Sequence, residues 1–259
     1  MEIYVLASGS KGNMTYLKVG HIKLFVDAGI SYKKIKEKMM NYGEDLNEVK
    51  TLLLTHEHSD HTIGLKMLLK HHVITDVYMT KGTMDGLAVD VKEMIPHIHV
   101  IKSEDHFNLL DLDIQTFMIS HDANEPVGFV VKHGDKKVCF VNDTGYVDQA
   151  YYELLTDADC YLLEANHHPT KLMQSLRPFL LKKRILGEKG HLSNDDAAWL
   201  VNALAKNKPT KWIVTHISED CNSILDIEES IVKIFDDPTK VEVFYATKEG
   251  LEVIKIWLN

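Results

Sequence analysis

A mixed α/β fold is the class this sequence predicts, and three observations point to it. Short apolar runs of strand length alternate with stretches of helical period along the chain. Residues suited to metal ligation follow several of the strand-like runs directly, as they would on a rigid scaffold with one catalytic edge. No Pro/Gly/Ser-rich linker or composition break divides the 259 residues, and 45% hydrophobic content can fill one large core. A single domain over residues 1–259 is therefore expected.

The three cysteines, Cys139, Cys160 and Cys221, are odd in number and widely spaced, so they suggest no disulfide framework. The N-terminus lacks a basic region followed by a long apolar one, and no later run is long enough to span a bilayer. A cytoplasmic protein without a membrane partner is expected. The net charge of −9 disfavours a broad electrostatic hold on nucleic acid but not a local one. Lys182, Lys183, Arg184 and Lys189 cluster in one segment, either as a solvated helix face or as such a local hold.

The densest chemistry lies in Thr51–His61, read Thr-Leu-Leu-Leu-Thr-His-Glu-His-Ser-Asp-His. Leu52, Leu53 and Leu54 predict a buried strand. His56, His58 and Asp60 then fall at every second residue, which in extended chain puts them on one side. His61 breaks that alternation as the chain turns into a helix expected over Thr62–His71, so it can face a second point. Imidazole and carboxylate together suit zinc, manganese or iron rather than calcium.

This string resembles the signature of the metallo-β-lactamase superfamily, and the chain is most similar to its YycJ/WalJ-like branch of metal-dependent nucleases. The resemblance implies a four-layer αββα sandwich with a dinuclear site at one end of paired sheets. Periodicity alone predicts only mixed α/β.

In chain order, Ile3–Ala7 reads as a strand and Ser8–Asn13 as a turn; the resemblance places that turn beside the cleft. Tyr16–Val19 and Lys23–Asp27 form a hairpin about Gly20 and His21. Asp27, at the strand end, either caps a turn or hydrogen-bonds the spare nitrogen of a ligating His. Tyr32–Tyr42 has helical composition. Within the Thr62–His71 helix, Ile63, Met67 and Leu68 form a stripe that Leu65 and Leu69 widen, so the helix should be well buried. Val77–Met79, a helix around Thr83–Val91, and Val100–Ile101 continue the alternation. His71, His72, His97, His99 and His106 lack a ligand-like setting.

Ile114–Ser120 is strand-like and ends in His121, which would complete a three-ligand site with His56 and His58. Val127–Lys132 and Val138–Val141 form a hairpin leading to Asp143, whose two oxygens could serve cations about 3.5 to 4 Å apart. Tyr161–Leu163 is a strand ending in Glu164-Ala165-Asn166-His167, where Glu164 and His167 take supporting or substrate-side roles rather than ligation. A basic helical stretch leads to Gly190-His191-Leu192-Ser193. Ser193 with Asp196 signals a helix N-terminus, and Ala197, Leu200, Val201 and Leu204 supply its apolar stripe. His191 therefore sits where a phosphate oxygen is favoured. Trp212–Thr215 is the strand that carries His216. A helix over Glu228–Phe235 and strands Val241–Tyr245 and Leu251–Ile256 close the chain.

The expected site holds two divalent cations, Zn²⁺ or Mn²⁺ with Fe possible. His56, His58 and His121 bind one, Asp60, His61 and His216 the other, and Asp143 bridges. A water between them would be acidified to about 7, giving hydroxide at neutral pH. Asp60 would orient it, while His191 stabilises the transition state or protonates the leaving oxygen. The expected reaction is phosphodiester hydrolysis of nucleic acid. The resemblance implies a DNA exonuclease acting from 5′ ends, with RNA processing as the near alternative. Thioester or lactone hydrolysis and a non-catalytic metal-binding regulator are the other classes compatible with this donor set.

Overall fold

A computed structural model describes residues 1–256, which divide into two compact units. The first comprises Met1–Asp105, Ala123–Val127 and the stretch from Lys248; the second comprises His106–Asp122 and Gly128–Thr247.

The first unit is built on β1 (Glu2–Ala7), β2 (Met14–Val19), β3 (Ile22–Val26), β4 (Thr51–Leu53), β5 (Asp76–Thr80), β6 (His97–Ile101) and, at the far end of the chain, β14 (Ile254–Lys255). The sheet order is β14-β1-β2-β3-β4-β5-β6. Pairing is antiparallel from β14 to β3 and parallel from β3 to β6. Helices α1 (Tyr32–Asn41), α2 (Ser59–Thr62), α3 (Leu65–Lys70), α4 (Lys81–Gly86) and α5 (Val89–Lys92) connect the strands. Leu6, Phe25, Leu52 and Leu54 meet Ile35 of α1 and Leu65 and Leu68 of α3 in one core. At about 1.5–3 kcal/mol per fully buried large side chain, that core holds β3 and β4 in place.

The second unit repeats the scheme with β7 (His106–Leu109), β8 (Leu112–Met118), β9 (Val127–His133), β10 (Lys136–Val141), β11 (Cys160–Glu164), β12 (Thr210–Thr215) and β13 (Val241–Tyr245). Its order is β13-β12-β11-β10-β9-β8-β7, with β10 to β13 parallel. Helices α6 (Tyr152–Leu155), α7 (Pro169–Gln174), α8 (Phe179–Ile185), α9 (Asn194–Leu204) and α10 (Ile224–Ile234) complete it. The largest wholly buried side chain is Trp212, whose Nε1 donates to Leu163 O at 3.0 Å, tying β12 to β11.

Besides the helix expected around Thr83–Val91, which is the two short helices α4 and α5, two local expectations fail. The helix expected over Thr62–His71 is two short helices, with a break where Gly64 N donates to Ala28 O at 2.8 Å. Ile63 and Met67 are 63% and 37% exposed; only Leu65, Leu68 and Leu69 of the predicted stripe are buried. Second, α2 starts at Ser59, with His58 as its N-cap. Asp60 is therefore helical and does not continue the extended alternation of His56 and His58. Among the described residues, no helix is long and apolar enough to cross a membrane.

Candidate functional site

Apart from His121, which follows β8, the candidate ligands leave the C-terminal ends of parallel strands, where open α/β sheets place ligand-binding groups. Asp27 follows β3 and His56 follows β4 in the first unit; Asp143, Glu164 and His216 follow or end β10, β11 and β12 in the second. Among the described residues, six non-glycine residues take positive φ, and three of them are Asp27, Asp143 and His216, at 59°, 52° and 51°. Such backbone costs on the order of 1–3 kcal/mol per residue and persists where its surroundings enforce it.

In the first unit, Asp27 organises the cluster. Its Oδ1 accepts from Thr55 N at 2.9 Å, and its Oδ2 lies 2.7 Å from His61 Nδ1. That contact places the His61 proton on Nδ1 and makes Nε2 the nitrogen able to bind a cation. Thr55 Oγ1 meets His56 Nδ1 at 3.0 Å, and the His56 ring centroid lies 4.7 Å from that of His58 and 4.1 Å from that of His61. The close backbone approach depends on Gly29: a Cβ there would stand 1.7 Å from Asp60 O. Asn13 adds a contact to each side chain of the Asp60-His61 pair, with Nδ2 at 3.3 Å from Asp60 Oδ2 and 3.1 Å from His61 Nε2.

In the second unit, the donor atoms of Asp143, Glu164, His191 and His216 lie within 4.8 Å of one another. Asp143 Oδ1 is 3.0 Å from His216 Nδ1, and Asp143 Oδ2 is 4.0 Å from His121 Nε2. His121 Nδ1 faces Gly190 O at 3.3 Å, the kind of carbonyl contact that orients a metal-binding imidazole. Glu164 is wholly buried; its Oε1 accepts from Thr144 N at 2.6 Å and its Oε2 pairs His191 Nδ1 at 3.0 Å and His216 Nδ1 at 3.3 Å. Asn166 Nδ2 donates to His216 O at 2.9 Å.

The titration of this cluster follows from burial and charge. Burial opposes the charged form of Glu164, yet His191 and His216 outweigh it and hold the carboxyl below its ordinary value. Burial likewise opposes protonation of His216, but Asp143 and Glu164 reverse the balance and push it up to about 10. His121 is held below its ordinary value by burial, against the pull of Asp143. Burial takes His167 down to about 4, leaving a neutral imidazole. Neither ring nitrogen of His167, 1% exposed, has a hydrogen-bond partner among the described residues.

Each unit thus gathers the predicted residues that belong to it: Asp27, His56, His58, Asp60 and His61 in the first, and His121, Asp143, Glu164, His191 and His216 in the second, with His167 buried near Glu164. The nitrogen and oxygen donors fit divalent zinc, manganese or iron. Sequence reasoning did not single out Asn13, Thr55 or Asn166. Their signal was adjacency: Thr55 precedes His56, Asn13 ends the first turn, and Asn166 lies inside Glu-Ala-Asn-His.

Comparison with known proteins gives a consistent result. Residues 23–217 match the beta-lactamase superfamily domain. The chain is 35% identical over 223 residues to exodeoxyribonuclease WalJ of Streptococcus pneumoniae serotype 2 (strain D39 / NCTC 7466), covering 84% of this chain and 82% of that one. It is 33% identical over 225 residues to exodeoxyribonuclease YycJ of Bacillus anthracis, covering 86% and 84%. Among solved structures, the metallo-beta-lactamase fold protein YhfI of Bacillus subtilis superposes with a TM-score of 0.72 at 14% identity, covering 98% of each chain. The short form of human tRNase Z gives 0.70 at 17% identity over the full length of both. These two structures establish a shared α/β sandwich fold.

Proposed function

Because the chain belongs to the beta-lactamase superfamily, on the branch of the exodeoxyribonucleases WalJ and YycJ, we propose that it is a metal-dependent DNA exonuclease degrading strands from their 5′ ends. The observation that carries the reading lies within the second unit. His191, a histidine beside the N-terminus of α9, is held by the buried carboxylate of Glu164 in the same cluster as Asp143 and His216.

We assign His56, His58 and His121 to one cation, Asp60, His61 and His216 to a second, and Asp143 to both, with the two units acting as one domain. Two divalent ions, zinc or manganese, would supply an acidified water and positive charge for the phosphoryl oxygens. The chain's own residues do the rest. Asp27 and Thr55 fix the ring orientations of His61 and His56. Asp60, contacted by Asn13, orients the nucleophile. Glu164 holds the His191 ring through Nδ1, leaving Nε2 to donate to the non-bridging phosphoryl oxygen or to the leaving 3′ oxygen. His167, a neutral, buried imidazole, takes a supporting or a substrate-side role.

Incubation of the purified protein with end-labelled single- and double-stranded DNA and RNA, in Mn²⁺ or Zn²⁺, tests this function. Stepwise loss of label from 5′-labelled DNA is expected. Turnover of a thioester or lactone with no phosphodiester cleavage would defeat it.

A further inference from the structure

Residues 171–189 run between two loops that carry candidate site residues. The stretch follows Glu164–His168 and leads into Gly190 and His191, whose ring is tied back to Glu164 at 3.0 Å. Within it, α8 turns Leu181 and Ile185 inward, against Leu172 and Cys221. The opposite side is apolar and open: Phe179 and Leu180 are 68% and 78% exposed, and the neighbouring Leu176 is wholly exposed. Helical spacing sets Phe179 beside Lys183 and Leu180 beside Arg184, one turn apart. Apolar and cationic side chains therefore share one stripe.

The local charge is opposite to that of the chain. Residues 171–189 hold six basic side chains and one acidic one, Glu188, in a protein of net charge −9. Three of the six are paired with carboxylates from outside the stretch: Lys171 with Asp226, Arg177 with Asp220, and Arg184 with Asp122, its Nη2 at 3.0 Å from Oδ1. Lys183 and Lys189 are exposed and have no carboxylate partner among the described residues. A second copy of the chain would bring two such basic stripes together and meet repulsion. A strand of unpaired nucleotides meets both features at once, offering phosphates to the lysines and base faces to the aromatic ring.

We infer that this face of α8, together with the loop that follows it, grips single-stranded nucleic acid on its way to the site, with Phe179 stacking on a base, and Lys183 of α8 and Lys189 of the loop meeting phosphates. The inference rests on the nuclease reading above. It concerns binding of the strand and not the bond-breaking step.

The test is steady-state cleavage by the metal-loaded full-length protein of a single-stranded oligonucleotide of about 12 nucleotides, compared with a dinucleotide. Phe179→Ala should raise KM for the oligonucleotide about tenfold more than for the dinucleotide, with kcat following neither change. Lys183→Ala combined with Lys189→Ala should lower the slope of log affinity against log salt by about 1.4, the expected effect of two lost single-strand phosphate contacts. Thermal melting of each variant separates these effects from unfolding. Equal shifts on both substrates, an unchanged salt slope, or conversion of an oligomer to monomer by Phe179→Ala would overturn the inference while leaving the nuclease reading intact. A wild-type protein that cleaves neither substrate would overturn this inference, and one that also leaves duplex DNA and RNA uncut would overturn the nuclease reading as well.

Discussion

A histidine proposed to meet a phosphate needs a fixed ring, and the Glu164 carboxylate holds that of His191 through Nδ1. The carboxylate is wholly buried yet kept ionised by the two imidazoles it contacts. His191 itself remains partly accessible, with a side chain 16% exposed. Replacing it should therefore injure chemistry more than metal binding. His191→Ala is expected to keep the wild-type metal content while kcat falls by about 10²–10⁴. Elemental analysis beside steady-state kinetics checks this; joint loss of metal and turnover would make His191 a ligand. Asp27, Asp143 and His216 carry the same lesson in the backbone, since each accepts a left-handed conformation at a strand end.

At the level of elements, α9 is the clearest case of local signals agreeing with the fold. Ser193 Oγ accepts from Asp196 N at 3.2 Å, and Ala197, Leu200, Val201 and Leu204 are all buried. Ser193→Ala should cost about 1 kcal/mol and lower Tm by about 2–4 °C in a calorimetric scan. A second element-scale prediction concerns Glu44, which clamps β2 and β3. It accepts from Tyr16 Oη at 2.9 Å, pairs with Lys23 at 3.1 Å and also pairs with Lys18. Burial opposes its charge, but these partners win and hold it below 4.5. A depressed carboxyl stabilises the fold fully above its unfolded value, and that stability is lost as pH falls below about 4.5 through the folded value. Glu44→Gln should therefore flatten the acid limb of denaturant stability between pH 5 and pH 3 and change little of its shape above pH 6. Legibility follows the same division between local and distant causes. The cap and stripe of α9 are written within one segment, so the sequence reveals them. The break between α2 and α3 comes from Gly64 meeting Ala28, a contact made across the chain, and the start of α2 at Ser59 moves Asp60 out of the extended pattern. His56, His58 and Asp143 were legible because their residue types are rare directly after apolar strands. Asn13, Thr55 and Asn166 were not, because a turn residue reveals its partner only after folding.

Across the whole molecule, the two sheets share a plan, antiparallel strands toward one edge and parallel strands toward the other, and most of the candidate chemistry leaves the parallel strands in each, His121 after β8 being the exception. The first unit holds imidazoles fixed by Asp27 and Thr55; the second holds carboxylates and imidazoles around Glu164. A molecule of net charge −9 has little general attraction for a polyanion, so the proposed reading assigns that attraction to bound cations and to the basic 171–189 stretch. The cleaving activity should then disappear entirely when the cations are withdrawn. Whether one dinuclear centre carries DNA cleavage is tested most directly by metal stoichiometry measured together with activity. Chelator-treated protein titrated with Mn²⁺ or Zn²⁺ should regain exonuclease activity as it binds two ions per chain, whereas full activity with one ion or none would contradict the account.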